Sequence, residues 1–293
     1  MSQVKGQAKK SKKNSQLKEI WRRYRKSKTA MLGLVLLGFI LCIAIFADLI
    51  VPYDMATAQE PINRLQGFSA EHWFGTDELG RDLFARVIHG SRYSLLIGIS
   101  TSVFSLIIGG LLGAVAAYYG GWIDNLIMRL TDVVMTVPPV LLSLAVVASL
   151  GANLTNLLIA LTVSCVPGTI RLVRSVVLTV ADQDYIEAAK SYGGSDMRVI
   201  LKYVIPNALG PIIVNTTMQV SSMILSASGL SFLGMGVQPP SPEWGALLSD
   251  ARQYMFIAPH LLYVPGIFII LAALSFNLAG DGLRDALDPK LKD

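Results

Sequence analysis

The sequence predicts an all-α polytopic membrane protein with six transmembrane helices. Three observations lead there. Hydrophobic residues make up 53% of the 293 and charged residues only 15%, where a soluble domain carries roughly 25% charged residues. The mean hydropathy is +0.53. The apolar residues gather into runs of about 20, the length a helix needs to cross a hydrocarbon core about 30 Å thick. Such a composition excludes a disordered chain. The two cysteines, Cys42 and Cys165, both lie in apolar runs, which excludes a disulfide scaffold.

Six stretches qualify, and each must be helical because lipid offers backbone N–H and C=O groups no partner. The first is Thr29–Val51, where Asp48 near the far end is the one charge. Its run of 23 residues exceeds a signal-peptide core, so it reads as a retained helix. The second is Ser94–Ala117, free of charge. The third is Val133–Leu150, preceded by the polar-flanked 121–132, with Pro138–Pro139 expected to bend or interrupt it. The fourth is Leu154–Val177, with Arg171 and Arg174 near one end. Leu209–Leu230 and Leu261–Leu278 are the fifth and sixth.

Lys and Arg counts set the orientation. The tail 1–28 holds 11, the loop 52–93 four, the next connection only Arg129, the third-to-fourth connection none, 171–206 five, the loop 231–260 one and the tail 281–293 three. Alternate segments starting from the N-terminus hold 20 of these, the others 5. Both termini and 171–206 are therefore expected in the cytoplasm. The basic tail reads as a topology determinant against anionic headgroups, not as a nucleic-acid arm. Its Trp21 and Tyr24 sit where an interfacial belt would be.

The segment 171–206 is the most informative. Asp184–Ser191 is a good helix former with Ala188 and Ala189 adjacent, Gly193–Gly194 breaks it, and Ser195 or Asp196 can cap a second helix running toward Pro206. The result is a short helix–turn–helix outside the membrane over 181–206. Its residues alone fit either an amphipathic connector on the headgroups or a docking surface, with small alanines permitting close approach.

The chain lacks other chemistry. A phosphate-cradling G-x-x-x-x-G-K-[ST] loop is impossible, since no Gly-Lys dipeptide occurs. His72, His89 and His260 are scattered and pair with neither cysteine in a metal-ligand spacing. They read as structural, and both cysteines as apolar fillers within helices. Nothing resembles a nucleophile elbow. Asn153-Leu154-Thr155 matches the glycosylation pattern only at a membrane edge. No catalytic residue, resident metal or cofactor is expected.

In the fifth span Asn215, Gln219, Ser222 and Ser226 fall on one helical face. They face protein or water, either bonding neighbouring helices or lining a polar path. In the second span Ser105, Gly109, Gly113 and Ala117 form a small-xxx-small face for close packing.

Glu187-Ala188-Ala189, three residues, Gly193, nine residues, Tyr203-x-Ile205-Pro206 resembles the EAA motif of ABC importer permeases. Tyr203 stands where histidine is frequent in that family. Further stretches are similar to the C-type permease of the dipeptide/oligopeptide/nickel importers. These are 72–82 (HWFGTDELGRD), 230–236 (LSFLGMG), 239–245 (PPSPEWG), 280–289 (GDGLRDALDP) and Arg22–Leu37, so that the resemblance covers nearly the whole chain. It implies a type I importer permease fold in a bacterial cytoplasmic membrane. It implies that Glu187, Ala188, Ala189 and Gly193 form the coupling helix that docks on an ATPase subunit. The implied partners are two ATP-binding subunits, which hold the ATP and Mg, a second homologous permease and an extracytoplasmic peptide-binding protein. The motif 75–82 reads as a turn and local ion-pair loop, or as a contact for the binding protein. Asp281, Arg284, Asp285 and Asp288 read as a solvated end, or as a seat for the ATPase.

Overall fold

The computed structural model describes residues 18–193 and 196–287. The first part of the basic tail, Gly194, Ser195 and the end of the second tail with Asp288 and Pro289 lie outside the described residues. Among the described residues there is no strand. A short helix over 18–26 (α1) leads into α2 (Lys28–Ile45), α3 (Ala47–Ile50) and α4 (Tyr53–Thr57). Then come α5 (Leu83–Tyr119), α6 (Gly121–Met135), α7 (Pro139–Leu150) and α8 (Leu154–Ala181). The connector helices are α9 (Asp184–Ser191) and α10 (Asp196–Val199), followed by a π-helical turn (Ile200–Val204). Last are α11 (Ile205–Phe232), α12 (Trp244–Ala251) and α13 (His260–Leu287).

Helices α2, α5, α8, α11 (with the turn before it) and α13 are long and apolar enough to cross a membrane. The pair α6 and α7 makes a sixth span if counted as one, but it is bent by 80°. Pro138 and Pro139 sit at that bend, where proline removes a backbone donor and favours a fresh helix start. Outward faces of the long helices carry Leu32, Val35, Phe39, Phe104, Ile107, Leu111, Ile267 and Ile270, all exposed. In water these would form large aggregation-prone patches; in hydrocarbon they are an ordinary surface. Cys42 lies among them and is exposed, so it is a lipid-facing residue and not an interior filler.

The helices overrun the apolar stretches. The second stretch begins at Ser94, yet α5 starts at Leu83, capped by the Asp82 carboxylate that accepts from the Ala85 N–H at 2.7 Å. Its 37 residues make a rod about 55 Å long, well beyond a bilayer core. Pro206 lies in the first turn of α11, where its missing N–H costs nothing, and so marks the end of the connector at the start of the fifth span.

Helices α5 and α8 run parallel and touch through the small residues of α5. Ser105 Oγ lies 2.7 Å from Thr169 Oγ1. A methyl group on Gly109 would come within 2.8 Å of the Thr169 Cβ, and one on Gly113 within 2.6 Å of the Ile170 carbonyl oxygen. Ala117 continues the face into a buried cluster with Val173 and Val177. Only residues without a bulky Cβ branch permit this approach. Helix α13 packs between α2 and α11, with Gly33 against Leu278 and Gly282 against Ala30.

Helix α12 and the residues between α4 and α5 cap the end of the bundle opposite the start of α2. Trp244 is fully buried and donates its indole N–H to the Val87 carbonyl at 2.9 Å. The fully buried Glu243 carboxylate accepts from the N–H groups of Gly245 and Ala246, both at 2.9 Å, and from Ser94 Oγ at 3.0 Å. It is therefore a satisfied N-cap.

Gly113→Leu is expected to lower the stability of the purified chain by about 1–3 kcal/mol or prevent its assembly. The same change at the open Gly110 should do far less, because that position meets only Leu106 at 3.5 Å. Thermal melting in detergent compares the two.

Candidate functional site

The connector between α8 and α11 lies at the same end of the bundle as the start of α2 and the end of α13. Helix α8 continues four residues past its apolar stretch and stops at Asp182. After this break α9 turns Ile186 inward. That side chain is 0% exposed and belongs to one buried cluster with Ala117 of α5, Val173 and Val177 of α8, Val199 of α10, and Val204 and Ala208 of the fifth span. The connector thus shares an apolar core with three long helices. A polar contact adds to it: the Tyr118 hydroxyl at the end of α5 donates to Asp196 Oδ1 at 2.7 Å. The π-helical turn then joins α10 to α11 without a loop, and such turns mark places where a helix changes its winding.

Of the four residues singled out for docking, Glu187 and Ala188 are exposed and Ala189 is half-buried against the Ile186 cluster. Gly193 is exposed in the left-handed region at φ +75°, with open space around it. A left-handed residue after the last turn is a usual helix stop, and glycine bears it without the cost a Cβ would bring. Sequence reasoning missed two residues on the outward face. Tyr185 and Tyr192 are 43% and 93% exposed and seven residues apart, which places them on one side of the helix. Their spacing was the available signal. Exposed tyrosines beside a small alanine are the composition of a protein interface.

Two ion pairs pin the amphipathic α6 beside this connector. Arg174 grips Asp124 with two bonds of 2.5 Å, and Arg171 meets Asp132 at 2.5 Å. Both arginines mark the end of the fourth stretch in the sequence, but nothing local names their partners.

The polar residues of α11 do not behave alike. The Asn215 side-chain amide donates to the Pro211 carbonyl at 2.9 Å, and the residue stays exposed. Gln219 donates to Cys165 Sγ on α8. Ser222 is exposed. Ser226 lines a cavity of about 50 Å³ together with Ser143, Ser164 and Cys165, room for a water or two. The four thus share one face of α11, open at Asn215 and Ser222 and leaning on α8 at Gln219. Near the end of the bundle that holds the connector, α11 and α13 diverge around a cleft of about 590 Å³ lined by Asn207, Asn215, Met218 and Arg284.

At the opposite end the motif 72–82 folds into a buried ionic cluster. The Asp77 carboxylate accepts from Arg81 Nε at 2.6 Å, from Arg86 and from the N–H groups of Leu79 and Arg81. Glu78 lies 3.0 Å from Arg81, and Asp250 of α12 lies 3.6 Å from Arg86 and 3.8 Å from Arg81. His72 Nδ1 meets Asp82 at 2.9 Å. His89 Nε2 donates to the Val51 carbonyl at 2.8 Å and His260 packs on Phe68, so the three histidines hold separate seams. Among the described residues no three His, Cys, Asp or Glu side chains converge on a metal position.

The family model for binding-protein-dependent transport system inner membrane components matches residues 109–293. The model for the N-terminal transmembrane domain of oligopeptide transport permease C matches residues 15–67. The dipeptide transport system permease protein DppC of Alkalihalophilus pseudofirmus is 47% identical over 94% of this chain and 90% of its own. The glutathione transport system permease protein GsiD of Escherichia coli is 47% identical over the same shares. Among solved structures, an inward-facing form of the MetNI methionine ABC transporter superposes with a TM-score of 0.59 at 18% identity, over 70% of this chain and 98% of that one. That likeness shows the fold of a type I ABC permease. The family match makes the chain an inner-membrane component of a binding-protein-dependent transport system. The chain belongs to the C-type permeases of the dipeptide and oligopeptide branch of the ABC importers.

The ionic cluster generates a pH prediction. Burial pushes the carboxyl groups of Glu78 and Asp250 above the ordinary carboxylate range. An acid whose pKa is raised on folding binds more protons in the native state, so stability falls as pH rises from the unfolded pKa through the folded one. The melting temperature is expected to rise as pH is lowered through the window just above the ordinary carboxylate values. Asp250→Asn should flatten that slope. Melts of both forms between pH 7 and about 4.5 check it.

Proposed function

We propose that the chain is one of two permease halves that move di- or oligopeptides inward, driven by ATP hydrolysed on separate subunits. The observation that carries this reading is the 47% identity to a dipeptide permease over nearly the full length. The glutathione permease at the same identity is named for another small peptide. An extracytoplasmic binding protein delivers the peptide to the capped end. The Lys and Arg distribution puts the connector and both termini in the cytoplasm. There α9 docks on an ATPase subunit through Glu187, Ala188, Tyr185 and Tyr192. ATP and Mg belong to that partner.

The physical route of coupling follows from the packing. A push on α9 reaches Ile186, whose buried cluster draws side chains from α5, α8 and α11. Close-packed interiors shift as units and do not absorb strain softly, so the three helices tilt together. This produces alternating access, with the polar face of α11 as part of the peptide's path. A peptide's backbone needs such partners because hydrocarbon offers none.

Gly193→Trp is the test. Gly193 is already left-handed at φ +75°; a Cβ there makes that backbone cost about 1–2 kcal/mol and so distorts the end of α9 in open space away from the bundle. The variant is expected to assemble and reach the membrane, with ATP hydrolysis retained and peptide uptake in proteoliposomes reduced at least tenfold. Uptake at the wild-type rate would count against α9 as the coupling element.

A further inference from the structure

We propose that the cleft between α11 and α13 is an exit subsite that takes the free carboxylate of a peptide, with Arg284 as its anchor. The proposal rests on the reading of the chain as a peptide permease.

Arg284 lines the cleft. Five arginines of the bundle, Arg81, Arg86, Arg92, Arg171 and Arg174, each meet a carboxylate. Arg284 meets none among the described residues, although Asp281 and Asp285 flank it on the same helix. A guanidinium presents a planar fork that matches a carboxylate with two parallel bonds, and it stays charged at any physiological pH.

The opposite wall supplies what the rest of a peptide needs. The side-chain amides of Asn207 and Asn215 each donate one N–H to a backbone carbonyl, of Tyr203 at 2.6 Å and Pro211 at 2.9 Å. Their oxygens are left to accept from peptide N–H donors. Met218 contributes a flexible apolar surface of the kind that tolerates varied side chains. The volume of about 590 Å³ is that of a small-molecule pocket, not of a water niche.

Position completes the argument. Asn215 belongs to both the cleft and the polar face that runs along α11 to Ser226, about 16 Å farther on. A peptide following that face toward the connector end meets Arg284 as its last fixed positive charge on α13 among the described residues. The subsite would hold the carboxylate weakly and let it go to water, since Arg284 is itself exposed.

The experiment uses the full transporter, with both permeases and both ATPase subunits, purified without binding protein. Equilibrium dialysis measures labelled Ala-Phe and its C-terminal amide. The wild type is expected to bind Ala-Phe at least about tenfold more tightly than the amide, the size of a charged hydrogen-bonded pair. Arg284→Gln should erase that preference and leave amide binding unchanged. Asn215→Leu should weaken both ligands equally. Arg284→Lys, which keeps the charge and loses the fork, guards against an assembly defect; it should keep only part of the preference. A full wild-type preference in Arg284→Gln or Arg284→Lys overturns the proposal, as does a wild type that binds acid and amide alike. A variant that loses ATPase subunits but keeps the preference would make Arg284 a docking residue and overturn it too. Binding-protein-stimulated uptake of Ala-Phe by the wild-type transporter separates the two levels. Uptake without carboxylate preference sinks the subsite alone, and no uptake of any peptide sinks the functional reading as well.

Discussion

The near-contact of two backbones, α5 against α8 at Gly109 and Gly113, is the constraint on which the remainder of the bundle depends. Lipid supplies no hydrophobic drive between helices, so association comes from close packing and a few interhelical hydrogen bonds. At this seam both are present: glycines that admit a carbonyl at van der Waals range, and the Ser105–Thr169 hydroxyl pair. Because the two helices are parallel, their ends at the connector side lie together. That is the socket into which Ile186 fits. A larger residue at Gly113 would therefore disturb more than one seam, since the socket is built on the same two helices.

The two ends of the bundle are stabilised by different means. At the capped end, buried charges meet one another and backbone N–H groups, and a fully satisfied Glu243 starts α12 against Ser94. Such clusters fix geometry more than they add stability, because desolvation offsets much of the attraction. At the connector end an aliphatic cluster is flanked by the Tyr118–Asp196 bond and by the two arginine–aspartate pairs of α6 and α8. The bend between α6 and α7, with its arginine clamps, keeps the intervening segment attached to α8 whichever way α8 moves.

Much of this was legible along the chain. The apolar runs located the long helices, since the bilayer thickness converts directly to residue count. Pro138–Pro139 marked the break, though not its 80° angle, which depends on what α6 lies against. The small face of α5 was visible as a four-residue repeat. The connector was visible as two short amphipathic pieces around a glycine, but Ile186, its anchor, was not. One isoleucine in a polar helix looks the same whether it is buried or bare. The helix ends were also missed, by eleven residues at Leu83, because hydropathy reports where lipid begins and not where hydrogen bonding stops.

Local rules determined that this chain crosses a membrane as helices, which ends are basic, where helices break and which faces are small or polar. These follow from covalent geometry and from transfer out of water, and both act residue by residue. Tertiary structure alone decided that Arg174 meets Asp124, that Asp250 of α12 lies beside Arg81 and Arg86, that Ile186 shares a buried cluster with three long helices and that Arg284 and Asn215 line one cleft. Each joins groups distant in sequence, and which partner a charge or side chain finds depends on how whole helices stack. No period or local propensity encodes that choice.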